Sequence, residues 1–452
     1  MLSLTSLGGA GTVTGSKHLL IHGDTRLLVD CGLFQGLKNL RELNWQRLAV
    51  EPRDIDAVVL THAHLDHCGY LPRLLLDGFG GNIFATTASR DVAELILLDS
   101  AWIQEKDAEF ANRKGFSKHK PALPLYRVPD AERTLAQFID VPLHRETALP
   151  GHAKLVLRRA GHILGAATAQ IDLGGKRIVF SGDLGRYDDP VMHDPEPVPE
   201  ADIIVIESTY GNRVHEHADP VDALGGLIER TVQRGGTVVI PAFAVGRAQT
   251  LVHELWQLRK AGRLDNVPVY LDSPMATSAT ELLHRHSDDH KLASEDYAAA
   301  CAAVTYVRDV EDSKALSANR YPKVIISASG MATGGRVLHH IEAFGGSHQN
   351  TLLFSGFQAA GTRGRKLLEG AREVKIHGRW MPIKAEVAEL AMLSAHADSD
   401  ELMRWLRGFT KAPERVFIVH GESDASEALR ERIQRELNWH ASVPMQNQEF
   451  AL

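Results

Sequence analysis

The 452-residue chain is 44% hydrophobic and 24% charged, ordinary values for a folded globular protein, and it is long enough to build two cores. Its formal net charge of −7 argues against a generally basic nucleic-acid binder, so any polyanionic substrate would need a local basic groove. There is no run of about 18 apolar residues and no basic-then-apolar N-terminus, which sets a cytoplasmic location as the expectation, and Cys31, Cys68 and Cys301 are too few and too scattered for a disulfide framework or a thiolate zinc site.

In chain order, the glycine-rich turns in "LGGAGTVTGSKH" and "IHGDTR" predict antiparallel hairpins at the N-terminus. Short apolar runs of strand length then end in polar groups. They are "RLLVDCG" at Asp30, "AVVLTHAH" at His62, "KRIVFSGD" at Asp183, "DIIVIESTYG" at Glu207 and "RVFIVHGE" at His420. Helical spacing appears between the strands, over 67–78, 90–112 and 130–140, so the beginning reads as a mixed α/β layered sheet. From 209 to 373 the pattern becomes repeated strand, small-residue loop and helix, as in "GGTVVIPAFAVGRAQTLVHELWQLRKAG" and "PKVIISASGMATGGRVLHHIEAFGG", which predicts an inserted domain on a mainly parallel sheet with covering helices. The first domain is thus expected to span 1–208 and 374–452, its second part holding a helix in "EVAELAMLSAHADSDELMRWLRGF".

The stretch "THAHLDHCGYLP" places His62, His64, Asp66 and His67 within six residues directly after an apolar run. His62 and His64, two apart in extended chain, point the same way, while Asp66 and His67 follow where a helix begins. Four such groups fit poorly around one tetrahedral ion and well around two ions, each taking a pair. Single polar groups after other strands complete the set, giving His62, His64 and His162 on one ion and Asp66, His67 and His420 on the other. Asp183 would bridge them with its two oxygens, at the separation of about 3.5 to 4 Å typical of binuclear hydrolases. Imidazole and oxygen ligands without thiolate favour Zn2+, with Mn2+ as the alternative. The remaining histidines, including His22, His152, His193, His215, His217 and the pair His339 and His340, lack this context and are expected on surfaces or helices.

This motif resembles the central motif of the metallo-β-lactamase superfamily, and the whole set resembles its β-CASP branch of RNA-processing nucleases, above all the endonuclease subunit of pre-mRNA 3′-end cleavage and its bacterial and archaeal relatives. The likeness runs over nearly the whole chain, through Asp30, His62 to His67, His162 and Asp183, then Glu207 in "IESTYG", His396 in "LSAHADS" and His420 in "VHGE". It implies an αββα sandwich interrupted by a β-CASP domain, and a zinc-dependent RNA endonuclease working by a two-metal mechanism with a bridging hydroxide. In that scheme Asp30 orients ligating histidines, and His396 protonates the departing ribose oxygen while Glu207 holds its imidazole. Catalysis would thus rest on Asp183, Glu207 and His396.

The loops "SASGMATGG" and "GFQAAGTRGR" each precede an expected helix, and Ser329, Gly330, Thr362 and Arg363 are candidates to line the path of single-stranded RNA. A 5′ to 3′ exoribonuclease, or dual endo and exo activity, is the alternative within the branch. A small-substrate hydrolase would not need the insert, and an inactive RNA-binding scaffold would not need every ligand. Dimerisation of identical chains is left open by the sequence.

Overall fold

The structure is a computed structural model describing residues 1–452 apart from Phe116 and His217, so the expectation for His217 lies outside the described residues. The chain forms two compact units, one made of 1–188, 193–214 and 396–452, the other of 189–192 and 215–395.

The first unit has two seven-stranded sheets. Strand Leu2–Gly8 pairs antiparallel with Lys17–His22, and that strand with Thr25–Val29, as the glycine-rich turns predict. Thr25–Val29, Ala57–Val59, Asn82–Ala85 and Phe138–Asp140 then continue as parallel neighbours. In the second sheet, Lys176–Phe180, Ile203–Glu207 and Arg415–Val419 run parallel. Residues of alternating strand positions, Leu27, Val29, Ala57 and Val59 from one sheet and Ile203, Val205, Phe417 and Val419 from the other, share one core. Their chain neighbours Leu28, Val58, Ile204 and Ile418 are also fully buried, on the opposite faces. Side chains of period two buried on both faces require cover outside each sheet. Helices Leu71–Leu76, Thr87–Lys114 and Val128–Leu135 and the helix Ser423–Leu437 are among those that provide it. The result is a four-layer αββα sandwich, each fully buried leucine contributing about 1.5 to 3 kcal/mol.

The last of the three predicted N-terminal helices is shorter than its spacing suggests, ending at Leu135, because Phe138–Asp140 is captured as the edge of the first sheet.

The second unit carries a six-stranded, wholly parallel sheet, in the order Thr305–Tyr306, Val269–Asp272, Val324–Ser327, Val238–Pro241, Thr351–Phe354, Glu386–Glu389. Val238 and Ile240 face one core, and Val239, Leu352 and Phe354 the other. The sheet explains why this unit runs past 373. Glu386–Glu389, expected as part of a helix, pairs with Thr351–Phe354, and helix Ser399–Leu406 starts only after it, capped by Asp398. Among the described residues no helix is long and apolar enough to cross a membrane.

Candidate metal centre

Parallel strands all point the same way, so the groups just beyond their carboxyl ends collect along one edge of each sheet. In the first unit these are Asp30 after Thr25–Val29, the His62 to His67 segment after Ala57–Val59, Asp183 after Lys176–Phe180, Glu207 and Thr209 at the end of Ile203–Glu207, and His420 after Arg415–Val419. His162 arrives from the turn between strands Lys154–Arg159 and Ala167–Leu173.

The structure brings every sequence-predicted ligand together. His62, His64, His162 and Asp183 each offer an atom within 4.8 Å of the others, and so, as a second group, do Asp66, His67 and His420. Asp183 joins the two. Its Oδ2 lies 3.3 Å from His62 Nε2 and 3.6 Å from His162 Nε2, whereas Oδ1 lies 3.3 Å from His67 Nε2 and 3.4 Å from His420 Nδ1. One carboxylate oxygen thus faces each group. His64 Nδ1 is 3.1 Å from His162 Nε2, and His420 Nε2 is 3.4 Å from Asp66 Oδ2.

These atoms suit cations better than one another. His62 Nε2, His67 Nε2 and Asp183 Oδ1 are buried and make no hydrogen bond, despite neighbours 3.3 Å away. Close approach without alignment is how ligands sit around shared ions, and a buried polar atom left so would otherwise cost about 1 to 3 kcal/mol. Burial, reinforced by neighbouring imidazoles, pushes His64 down to about 3 and His162 well below the usual range, so both are neutral, the ligating form. Burial also acts against a charge on His67, but the Asp183 and Asp30 carboxylates outweigh it and raise the group well above its ordinary value. A metal ion at Nε2 would compete for that proton.

The supporting residues explain the ring orientations. Asp30, buried and in the left-handed region at φ 59°, accepts from Thr61 N at 2.8 Å and from Thr61 Oγ1, while His67 Nδ1–H donates to its Oδ2 at 2.8 Å. That bond leaves His67 Nε2 facing Asp183. Glu207 accepts from the N–H groups of Leu184 and Thr209, and its Oε1 is 3.3 Å from His396 Nδ1. His396 Nδ1 is also 4.0 Å from Asp183 Oδ2, and its side chain keeps 16% exposure. Burial works against the charged form of His396, and Glu207 more than compensates, so its proton is held more tightly than usual.

Three contributors escape the sequence reading. Thr61 contacts both Asp30 and His62, and Thr209 Oγ1 lies 3.1 Å from His420 Nδ1. Thr61 directly precedes His62 and Thr209 lies two residues after Glu207, the one available signal. Lys17 is buried between the rings of Phe34 and Tyr70, with Nζ donating to Gly32 O at 2.5 Å, and burial draws it down to about 8.

The candidate RNA contacts lie in the second unit and away from these ligands in sequence. Thr362 caps the turn of helix at Arg363–Leu368 by accepting from Arg365 N. The Arg363 guanidinium donates to the carbonyls of Ala332, Thr333 and Lys375. Ser329 Oγ meets Thr333 Oγ1 at 3.0 Å, and Gly330 is packed so tightly on Phe243 that a Cβ would come within 2.8 Å of its backbone N. Of the histidines expected at surfaces or on helices, His215 is buried, and His340 is fully buried on its helix with Nε2 2.7 Å from Asp272 Oδ2.

Comparison with known proteins agrees with this geometry. Residues 13–219 match the metallo-β-lactamase superfamily, 248–367 the β-CASP domain, and 380–444 the Zn-dependent metallo-hydrolase RNA specificity domain. Ribonuclease TTHA0252 of Thermus thermophilus is 35% identical over 436 residues, covering 95% of each chain. This chain belongs to the β-CASP branch of the metallo-β-lactamase superfamily. The transcription termination factor FttA of Methanosarcina mazei is 32% identical to this β-CASP chain, across 96% of it and 69% of that protein. A crystal structure of a protein of unknown function from Enterococcus faecalis V583 covers both chains fully at a TM-score of 0.55 and 12% identity, a likeness of fold alone.

Proposed function

We propose that this chain is an RNA endonuclease that hydrolyses internal phosphodiester bonds with two zinc ions. As a β-CASP protein it is a metal-dependent RNA nuclease; the cutting mode and the number and identity of the ions are our reading. The observation that carries it is the division of Asp183, one oxygen toward His62 and His162 and the other toward His67 and His420.

His62, His64 and His162 would hold one ion, and Asp66, His67 and His420 the other. Bound there, the pair would lower the pKa of water and offset charge on the phosphate oxygens. Asp30 fixes the His67 tautomer, a support of the kind whose loss costs metal sites about 10- to 100-fold in affinity. Glu207 holds His396 at Nδ1 and favours its protonated state, so His396 would deliver a proton from its other nitrogen to the departing ribose oxygen. Ser329 and Gly330 are proposed to present loop backbone to single-stranded RNA. With Nε and Nη1 on three carbonyls, Arg363 would shape that loop beside Thr362 and keep its Nη2 for the RNA path.

The test uses zinc-loaded protein on a covalently closed circular RNA, with His396→Ala beside it. Linearisation by the native protein alone supports endonucleolytic cleavage and the role of His396. An intact circle beside degradation of a 5′-monophosphate linear RNA would replace this reading with the exonuclease one. Survival of both substrates would refute catalysis.

A further inference from the structure

A second cluster of ligand-type side chains lies in the other unit, on helix Val337–Phe344 and the hairpin formed by Glu373–Ile376 and Arg379–Pro382. Leu338 and Ile341 of the helix share a core with Val374 and Ile376 of the hairpin. That packing brings together the residues next to each apolar stripe. His339 and Glu342, three apart, share one helix face. His377 follows Ile376 directly at the hairpin tip. His339, Glu342 and His377 each offer a ligand atom within 4.8 Å of the other two, and the two imidazoles stack with centroids 4.6 Å apart and planes at 20°.

The turn fixes the position of His377. Ile376 pairs with Arg379, so the loop is His377-Gly378, with φ 48° and 84°. Two positive φ values make the primed type of hairpin turn, whose first position favours asparagine, aspartate or glycine. Histidine tolerates that conformation, and at this tip it faces a helix bearing a second histidine and a carboxylate.

We propose that His339, Glu342 and His377 hold a third divalent cation of the zinc class, separate from the centre in the first unit. Two imidazoles and one carboxylate are a common zinc donor set, leaving a fourth position for water. Burial and the facing His377 ring lower the His339 pKa, which keeps its imidazole in the ligating form. A hairpin of four-residue strands is marginal by itself, and an ion bonded to both elements would staple it to the helix. Lys375 and Arg379 on the hairpin are exposed and oppose a cation, so the site is expected to bind less tightly than the buried centre. The proposal does not depend on RNA cleavage.

The test is zinc content of the full chain after equilibrium dialysis against micromolar free Zn2+, for the native protein, His377→Asn and Glu342→Gln. Asparagine suits the turn and glutamine suits a helix, so both variants should fold, which circular dichroism would check. Each variant should hold one zinc fewer than the native protein, whatever the first centre binds, and crystals should show a zinc-edge anomalous peak between His339 and His377. Equal zinc content in all three proteins would overturn the proposal. So would a difference without a peak at that position.

Discussion

Gly32→Ala would strike the metal centre through backbone contact alone. A Cβ at Gly32 would lie 1.5 Å from Asp66 O, 1.9 Å from Asp66 C and 2.6 Å from His67 N, all rigid main-chain atoms. Restoring a normal contact needs a shift of roughly 1.5 Å, several times the tolerance of about 0.2 Å in metal–ligand distance. The same shift would break backbone bonds that knit this crossing together: Ser16 N to Asp66 O at 2.9 Å, Cys31 N to His67 O at 2.7 Å and Leu33 N to Leu65 O at 3.0 Å. At about 0.5 to 1.5 kcal/mol each, losing two or three costs about 1 to 4.5 kcal/mol. For a unit of this size that lowers the midpoint by roughly 2 to 18 °C. We expect the variant to lose the ion assigned to Asp66, His67 and His420 while keeping the one assigned to His62, His64 and His162. The assay is zinc per chain together with thermal unfolding followed by circular dichroism. Native zinc content with a midpoint within about 2 °C of the native protein would refute the reasoning.

Further expectations follow from single contacts. Asp30→Asn retains the shape and tolerates the left-handed backbone, yet an amide cannot accept from Thr61 and His67 together, so zinc affinity should fall about 10- to 100-fold in a chelator competition; unchanged affinity would count against its orienting role. Asp272 is fully buried; burial opposes its charge, but His340, Ser313 and Arg336 hydrogen-bond to it and hold its pKa below the usual range. A depressed folded-state pKa gives stability that is complete above the unfolded value near ~3.9 and lost as pH falls through the folded one. Asp272→Asn should therefore be about 3 kcal/mol less stable at neutral pH, with the gap closing in acid; a gap constant with pH in urea titrations would defeat this account. In helix Pro220–Gln233, a Cβ at Gly226 meets nothing nearer than Arg230 Nη1 at 3.6 Å, so Gly226→Ala should stabilise the inserted unit by about 0.5 to 1 kcal/mol. Gly225→Ala, which would press on the Arg263 guanidinium and Leu258 at 2.6 Å, should not, and the two denaturation midpoints decide between them.

The ligands were legible because Asp183 and His420 follow strands with clear apolar runs, and because His62, His64, Asp66 and His67 cluster too densely for an ordinary loop. The parallel sheet of the insert was legible from its repeated strand and helix units. What was hidden depends on contacts between distant segments. Glu386–Glu389 has no apolar alternation to mark it as a strand, and only its neighbour Thr351–Phe354 makes it one. Lys17 looks like a surface residue until two rings and a carbonyl enclose it. Arg363 reads in sequence as a cation before a helix, and only the fold shows its Nε and Nη1 tying together the carbonyls of Lys375, Ala332 and Thr333. His339 and His377, 38 positions apart by subtraction of their numbers, meet only through packing of a helix on a hairpin.

The strand Arg415–Val419 lies between Ile203–Glu207 and Ala441–Ser442 in the second sheet, although the whole inserted unit separates it from the former in sequence. During synthesis, Ile203–Glu207 therefore emerges from the ribosome with one edge unpaired while roughly 200 further residues are made, some 10 to 40 s at elongation rates of about 5 to 20 residues per second. An apolar edge left open for that time is a template for wrong partners. His62, His64, His162 and Asp183 are all present at the start of that interval, whereas His420 appears only at its end. The nascent chain thus carries six of its seven candidate metal ligands, and a vulnerable sheet, until the final segment adds His420 and closes the edge.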